Sequence, residues 1–169
     1  MDIGCINWMK KVQQMLPVNL ENVLEVGSLN VNGSAREYFK AFMWMGIDIV
    51  DGKDVDIVMN GHDIVKNSEW KNFFDTVVCM NTLEHDDKFW LSLQGINYAL
   101  KKGGYFLFAE PTYDFPIHRH AKDYWRILED GLREVIFEGY EIIDVEEVVS
   151  KIVDGKGVNH ILCGLGRKL

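Results

Sequence analysis

The sequence predicts an α/β fold: a doubly wound, mostly parallel sheet of seven strands, with helices on both faces and an antiparallel hairpin at the C-terminal end. Two observations predict it. Short apolar runs alternate with helical patterns along most of the 169 residues, and this alternation implies right-handed crossovers between parallel strands. The last two apolar runs, at 140–149 and 158–166, are separated by a short segment with the turn sequence "DGKG", which is typical of an antiparallel pair.

The N-terminal segment, residues 1–17, is predicted to form a helix. Its apolar residues recur at helical spacing: Ile6, Met9, Val12 and Leu16. Because this spacing places them on one face, and because Pro17 cannot continue a helix, the helix should end before the short buried strand "NVLEV".

A second helix is expected after a loop at 27–33. Ser34 and Glu37 have the spacing of a capping box, in which each side chain accepts a hydrogen bond from the backbone N–H of the other residue. The apolar residues that follow would share one face of this helix: Ala35, Tyr38, Phe39 and Phe42.

The middle of the chain contains three predicted strands, "MWMGIDIV", "DIVM" and "DTVVCM", with "SEWKNFF" as a short helix before the last of them. A helix over 87–100 follows, and Gly103 and Gly104 are expected to stop it. Its inward-facing residues would be Phe89, Leu93, Ile96 and Leu100. The strand "YFLFAEP" and a helix near 129–138, ended by Gly139, complete the alternation.

Composition predicts a single domain, 1–169, long enough to bury a substantial core. The net charge of −8 makes nucleic acid an unlikely partner, because nucleic-acid binders usually have a basic face. Three widely spaced cysteines disfavour a disulfide framework and a zinc site. We find neither a secretory signal pattern nor an apolar run long enough to cross a bilayer. We therefore expect a cytoplasmic protein without membrane association, and we make no prediction of its oligomeric state.

The loop at 27–33 is the first candidate for ligand binding, because doubly wound sheets bind ligands beyond the carboxyl ends of their strands. Gly27 and Gly33 allow a sharp turn and a close approach to the backbone. A phosphate-binding loop would need a lysine after the second glycine, where Ser34 stands. A dinucleotide loop would need three close glycines. A third interpretation is a nucleoside ligand with a cationic tail and no phosphate, for which Glu25 is electrostatically suited.

Several segments resemble the class I S-adenosylmethionine-dependent methyltransferases of the small methyltransferase-domain type. "VLEVGSLNVNGS" resembles the first motif of that family with its glycines further apart, "MGIDI" the acidic second motif, and "NGHDI" the motif that meets the adenine. "FDTVVCMNTLEHDDKFWLSLQGINYALKKGGYFLFAEP" resembles the segment from the fourth to the fifth strand, and "KDYWRILEDGLREVIFEGYEIIDV" contains a D-Y-W-R segment common in this subgroup. The resemblance covers nearly the whole chain and implies a Rossmann-like fold with S-adenosyl-L-methionine as cofactor.

The resemblance also implies a set of cofactor-binding residues. They are Glu25, Gly27, Ser28, Asn32, Gly33, Asp48, His62, Asp63, Ile64 and Asn81. Asp48 would accept hydrogen bonds from both ribose hydroxyls, and Asp63 would accept one from the adenine amine, with His62 or Ile64 against the ring. Alternatively, Asp63 caps a short helical turn.

The same resemblance places Glu25 near the methionyl amine and Asn81 near the methionine moiety. Asn30 or Asn32 would bond the methionine carboxylate, or would only satisfy backbone groups of the loop. Gly27 and Gly33 would form the two ends of the loop that holds this part of the cofactor.

The L-E-H turn contains Glu84 and His85. Quinone O-methyltransferases bind a divalent metal through an E-x-x-E-H pattern, but Asn81 makes the pattern N-x-x-E-H in this chain. One carboxylate is therefore missing, and carboxylates are preferred ligands of magnesium. We expect mostly structural roles for Glu84 and His85, and no metal site.

The segment 111–126 is a probable substrate loop over the methyl donor. We assign Tyr113 and Asp114 to it. His118 and His120 are candidate general bases, because imidazole titrates near neutral pH. The alternative is a loop held only by its own aromatic and polar contacts.

These features predict a methyltransferase acting on a small-molecule or saccharide-like acceptor, at oxygen or nitrogen. Two alternatives remain open. One is a catalytically silent S-adenosylmethionine-binding or regulatory partner protein, and the other is a nicotinamide-dependent oxidoreductase.

Overall fold

The computed structural model describes residues 3–119, 122–151 and 158–169, and within them seven strands form one sheet. The strands are β1 (Leu20–Val26), β2 (Ala41–Asp48), β3 (Ile57–Val58), β4 (Phe74–Met80), β5 (Leu100–Pro111), β6 (Tyr140–Lys151) and β7 (Val158–Lys168). The strand order is β3-β2-β1-β4-β5-β7-β6. β7 is antiparallel to β5 and β6, and the other neighbouring pairs are parallel. The predicted sheet is therefore confirmed, while the predicted "DGKG" turn lies outside the described residues.

The strand order reverses between β1 and β4. From β1 the chain steps outward to β2 and β3, and it then returns to place β4 on the other side of β1. Glu25 of β1 lies opposite Gly46 of β2 and Val78 of β4, so the carboxyl ends of these three strands finish close together. Loops diverge at such a reversal and leave a crevice between them. The candidate site therefore lies at this edge of the sheet.

Helices cover both faces of the sheet, as predicted. They are α1 (Ile3–Val12), α2 (Phe89–Ala99) and α3 (Glu129–Gly131), which continues as a π-helical turn over Leu132–Ile136. Side chains alternate along the central strands: Leu24, Val77 and Phe106 join the cluster under α2, and Val23, Val78 and Leu107 join the cluster under α1. Both faces of the central strands are thus buried, which explains their continuous apolar runs.

The prediction of a helix after β1 is wrong. Only one 3-10 turn forms, Ala35–Glu37, and β2 already begins at Ala41. Ser34 does cap this turn, but it accepts the N–H of Arg36, at 3.1 Å. Because Ala41 begins the pairing with β1, the chain beyond it is drawn into the sheet, and Phe42 is 94% exposed. Strand pairing outweighs the local helical pattern.

Two further boundaries differ from the predictions. The segment 68–74 contains only the 3-10 turn Ser68–Trp70. α2 ends at Ala99 and β5 follows at Leu100, so Gly103, with φ +77°, lies inside the strand and does not stop the helix. All the described helices are short, and none of them combines the length and the apolar character needed to cross a membrane.

Candidate functional site

The loop after β1 turns at Gly27 and packs against the loop after β4. Gly27 has φ +77°, and its N–H donates to the Ile47 carbonyl at 2.9 Å. A Cβ at this position would lie 1.9 Å from Oγ1 of Thr82. The Thr82 hydroxyl is itself held between the carbonyls of Val26 and Met80, at 3.3 and 3.0 Å. The predicted turn at Gly27 is confirmed, and the contact with Thr82 adds a second reason for glycine.

Asp48 ends β2 and joins it to the same loop. One carboxylate oxygen accepts the Leu29 N–H at 3.2 Å, and the other accepts the Val50 N–H at 3.1 Å. The residue is half-buried, and each carboxylate oxygen has a second lone pair. Asp48 can therefore hold the loop and still accept hydrogen bonds from a ligand.

Glu25 is buried, at 7% exposed, and has partners within the protein. It accepts the indole N–H of Trp44 at 2.8 Å, and the Nε of Arg36 lies 3.5 Å from the same oxygen. Burial raises the pKa of Glu25 to about 7, against the opposing effects of Trp44 and Arg36. Arg36 also donates to Asp56, at 2.6 Å. The sequence did not reveal this arrangement, in which Glu25 connects β1 to β2 and to the 3-10 turn.

Within the loop, Asn30 satisfies neighbouring polar groups. Its amide donates to Asp54 at 2.6 Å, and its carbonyl accepts the N–H of Gly33 at 2.8 Å. Gly33 has φ +114°, and Asn32 is exposed. Ser28 is only 2% exposed, and its hydroxyl has no hydrogen-bond partner among the described residues. The hydroxyl faces Gly46 of β2, where a Cβ would lie 2.6 Å from it, so Ser28 belongs to the packing between the loop and β2.

The segment after β3 forms the 3-10 helix Gly61–Lys66. His62 lies 2.8 Å from a carboxylate oxygen of Asp86, so its ring is held toward the start of α2. Asp63 is half-buried and forms an ion pair with Lys66 at 2.7 Å. Ile64 is fully buried and packs beside Gly95 of α2. A ligand at this edge would therefore meet His62 and Asp63, since the side chain of Ile64 belongs to the core.

Asn81 follows β4 directly and has φ +52°, which is uncommon for a residue other than glycine. Its N–H donates to the Ala109 carbonyl at 2.7 Å, and its side chain is exposed. The backbone N–H groups of Thr82 and Leu83 then donate to Oε1 of Glu110, at 3.1 and 2.9 Å. The turn after β4 is thus shaped by a carboxyl group at the end of β5.

Glu110 is a structural member of the site that the sequence analysis missed. It is fully buried, as is Glu84. Burial raises the pKa of Glu110 well above its ordinary range, and the charge of Glu84 raises it further. Burial also raises the pKa of Glu84. The available signal was an acid within the apolar run "YFLFAEP".

The structure brings His118 next to Glu84 and His85. The Nε2 atoms of His85 and His118 lie 3.6 and 3.4 Å from Oε1 of Glu84, and the two imidazole rings meet edge to face at 5.0 Å between centroids. Nδ1 of His85 is hydrogen-bonded to the Lys122 carbonyl. In the sequence the L-E-H turn and the substrate loop are distant segments, and no local pattern connects them. His120, the second candidate base, lies outside the described residues.

Asp123 and Arg126 hold the second half of the substrate loop. Their side chains form two hydrogen bonds, at 2.5 and 2.8 Å, and Arg126 lowers the pKa of Asp123 to about 2. Asp123 also accepts the N–H of His118 at 2.8 Å. The backbone N–H of Tyr124 donates to the Glu84 carbonyl at 2.7 Å. These contacts place the loop against the turn after β4.

The first half of the substrate loop is held on a different strand. Asp114 accepts hydrogen bonds from the backbone N–H of His160, at 2.9 Å, and from its Nδ1–H, at 2.6 Å. Because His160 is a residue of β7, this part of the loop is held against β7. Tyr113 is 68% exposed. Of the predicted substrate-loop residues, His118 therefore lies beside the turn after β4, whereas Asp114 has a partner of its own on β7.

No protein-family model matches this sequence, and no curated protein sequence matches it significantly. Solved structures do match the fold. The 1,6-didemethyltoxoflavin-N1-methyltransferase of Burkholderia thailandensis, crystallised with its substrate and S-adenosylhomocysteine, has a TM-score of 0.74 at 18% identity, over 99% of this chain and 79% of that one. The N-methyltransferase NodS of Bradyrhizobium japonicum has a TM-score of 0.68 at 13% identity, over 96% and 93%. The [4+2]-cyclase SpnF has a TM-score of 0.70 at 15% identity, over 96% and 80%.

Matches at these identities define the fold of the chain, and the cyclase among them shows that the fold carries more than one activity. The architecture observed here, with its strand order and its C-terminal antiparallel hairpin, is therefore a fold that this chain shares with solved methyltransferases.

Proposed function

We propose that this protein is an S-adenosylmethionine-dependent methyltransferase that acts on a small-molecule or saccharide-like acceptor. The observation that carries the proposal is the edge of the sheet where β1 and β4 diverge. A glycine turn at Gly27 and a strand-end carboxylate at Asp48 meet there. The loop at 27–33 has no lysine or arginine, which suits a cationic ligand without phosphate.

The residues of this edge fit the cofactor in two respects. Asp48 retains lone pairs for the two ribose hydroxyls, and the loop at 27–33 has no cationic side chain that would repel a sulfonium group. Asp63 and His62 would then lie on the adenine side, with Asn81 on the methionine side. The cofactor would supply a methyl group on a cationic sulfur, which is already a good electrophile. The protein's task is to orient the two reactants and to exclude water.

Glu25 would contribute indirectly in this arrangement. Its carboxyl group is already engaged by Trp44 and Arg36, so it supports the loop, and with a pKa raised to about 7 it is partly protonated at neutral pH. We infer that Glu25 acts mainly through the position of the loop.

The structural neighbours support the proposal at the level of chemistry. Two of them are named as N-methyltransferases, and one was crystallised with S-adenosylhomocysteine and a small heterocyclic substrate. The cyclase neighbour favours one alternative, a protein of this fold that does not transfer methyl groups.

Binding experiments with Asp48→Asn test the cofactor site. We expect S-adenosylhomocysteine to bind the wild-type protein in calorimetry, and we expect the variant to bind it about 10- to 100-fold more weakly, because charged hydrogen bonds to the ribose are lost. Asp51→Asn is the matched control, since Asp51 is an exposed acid close by in the same segment, and its affinity should be unchanged. Circular dichroism confirms that both variants are folded.

The competing functions give different outcomes. Tight binding of NAD with no response to S-adenosylhomocysteine would contradict the proposal in favour of an oxidoreductase. Binding of S-adenosylmethionine without release of S-adenosylhomocysteine, over a broad panel of hydroxyl and amine acceptors, would favour the catalytically silent alternative.

A further inference from the structure

Three potential metal ligands converge beside the substrate loop: Oε1 of Glu84 and Nε2 of both His85 and His118. They come from two segments that are far apart in sequence, and all three atoms lie within 4.8 Å of one another. Glu84 is fully buried, and neither of its carboxylate oxygens has a hydrogen-bond partner in the described part of the chain. Buried polar atoms without a partner are rare and costly, and an ion between this carboxyl group and the two imidazoles would supply one.

The distances favour a metal ion over a direct ion pair. A charged N–H···O hydrogen bond measures about 2.7–2.9 Å, whereas the two N···O separations are 3.6 and 3.4 Å. Two ligands at about 2.0–2.1 Å from a tetrahedral zinc ion lie about 3.4 Å apart. Both imidazole nitrogens therefore lie at the distance from the carboxylate oxygen that ligands of one ion would have, and they lie within 4.8 Å of each other.

The outer nitrogen of His85 has a partner that directs its inner nitrogen toward this centre. Nδ1 of His85 bonds to the Lys122 carbonyl, which can only accept, so the proton lies on Nδ1 and Nε2 presents its lone pair. Nδ1 of His118 is buried without a hydrogen-bond partner in the described part of the chain, and it lies 3.6 Å from Oδ2 of Asp123. Metal-binding histidines commonly have a carbonyl or a carboxylate in this position.

We propose that Glu84, His85 and His118 form a binding site for a divalent transition metal, with zinc as the best-suited ion. Two imidazoles and one carboxylate match the preferences of zinc and of its neighbours in the transition series. Three protein ligands leave at least one coordination position open. The proposed site differs from our expectation of mostly structural roles for Glu84 and His85, since an imidazole from the substrate loop would take the place of the carboxylate that is missing at position 81.

The open position suggests which acceptors the enzyme takes, an inference that rests on the proposed methyltransferase function. The site lies against the loop predicted to cover the acceptor, so the open position suits an acceptor oxygen. An acceptor hydroxyl bound there would lose its proton to solvent more readily than in water. Its oxygen would then bond to the methyl carbon while the carbon–sulfur bond breaks and its electron pair stays on sulfur. His118 would be a ligand in this scheme, with no role as a general base.

Zinc titration of chelator-treated protein by calorimetry tests the site, with the absorption of bound cobalt(II) as a second readout. We expect one ion per chain, and cobalt bands typical of a low-coordinate site. His85→Ala and His118→Ala should each weaken zinc binding at least about 100-fold, and Glu84→Gln should do the same if it folds. His160→Ala is the control, because this histidine pairs with Asp114 on β7, and it should change the affinity by less than about twofold.

S-adenosylhomocysteine binding, measured on the same samples with and without chelator, separates the two proposals. Normal cofactor binding with no zinc binding, or zinc binding unaffected by both histidine substitutions, would overturn the metal site and leave the proposed function standing. Zinc binding without binding of S-adenosylhomocysteine would overturn the proposed function and leave the metal site standing.

Discussion

At the scale of single residues, the backbone at Gly27 decides how the two central loops meet. Its φ of +77° is disfavoured for residues with a side chain, and the position of a Cβ is already occupied by the Thr82 side chain. Gly139 has nearly the same φ, +80°, but nothing lies within 4 Å of its Cβ position. The two glycines therefore separate the cost of the backbone conformation from the cost of steric overlap.

We expect Gly139→Ala to lower the free energy of unfolding by about 1–2 kcal/mol, which is the cost of a left-handed alanine. Gly27→Ala should lower it by about 2–5 kcal/mol, because Thr82 must also move and lose its hydrogen bonds. Urea denaturation measures both values. Equal losses in the two variants would show that the loop after β4 does not press on Gly27.

Glu25 makes the stability of the protein depend on pH. Its pKa rises from 4.5 to about 7 on folding, mainly through burial. The folded state therefore retains a proton that the unfolded state has lost, and stability falls as the pH rises through this window. The slope is about 1.4 kcal/mol per pH unit at most. Above pH 7 the contribution of Glu25 no longer changes.

Glu25→Gln should remove this contribution, since glutamine does not titrate and its carbonyl can still accept the Trp44 N–H. We expect the wild-type protein to lose stability relative to the Glu25→Gln variant as the pH rises from 4.5 to 7. Urea denaturation at intervals of half a pH unit measures it. Because Glu84 and Glu110 titrate in both proteins, the comparison isolates Glu25. Parallel pH profiles would refute the prediction.

At the scale of elements, the segment after β1 shows how strand pairing competes with helical periodicity. The residues from 35 to 42 have the spacing of an amphipathic helix, but the chain forms one 3-10 turn and then joins the sheet. As a result Phe39 is 5% exposed and Phe42 is 94% exposed. A helix with this spacing would have buried both rings on one face.

The two phenylalanines provide a matched pair for testing this element. We expect Phe39→Ala to reduce the free energy of unfolding by about 3–5 kcal/mol, because a buried ring leaves a cavity. Phe42→Ala should change it by less than about 0.5 kcal/mol. Denaturation of both variants under identical conditions gives the comparison. A large loss from both substitutions would restore the helical interpretation.

At the scale of the whole molecule, the strand order determines which residues can act together. The strands β1, β2 and β4 are neighbours in space. Gly27 and Thr82 follow β1 and β4, and Asp48 is the last residue of β2. Glu110 ends β5, beside β4, and it fixes the turn that carries Glu84 and His85 through three backbone N–H groups. The substrate loop then returns from β5 to place His118 at the same turn. One edge of the sheet thus has a proposed cofactor side and a proposed metal side.

Much of this architecture could be predicted because it depends on local signals. Apolar periodicity identified every strand, and the direct succession of the last two strands indicated the hairpin. The candidate edge followed from the rule that ligands bind where the strand order reverses. The partners of individual side chains could not be predicted in this way. Trp44 and Arg36 meet Glu25 through the pairing of β1 with β2 and the fold of the turn between them.

The sequence by itself determined the order of the strands along the chain, the mostly parallel sheet and the turn at Gly27, because periodicity and the conformational freedom of glycine act over a few residues. Only the tertiary structure decided that residues from 41 onward join the sheet, that Glu25 is buried and has a raised pKa, and that His118 faces Glu84 and His85. These features depend on burial and on distances between segments remote in sequence, which are set when the whole chain packs.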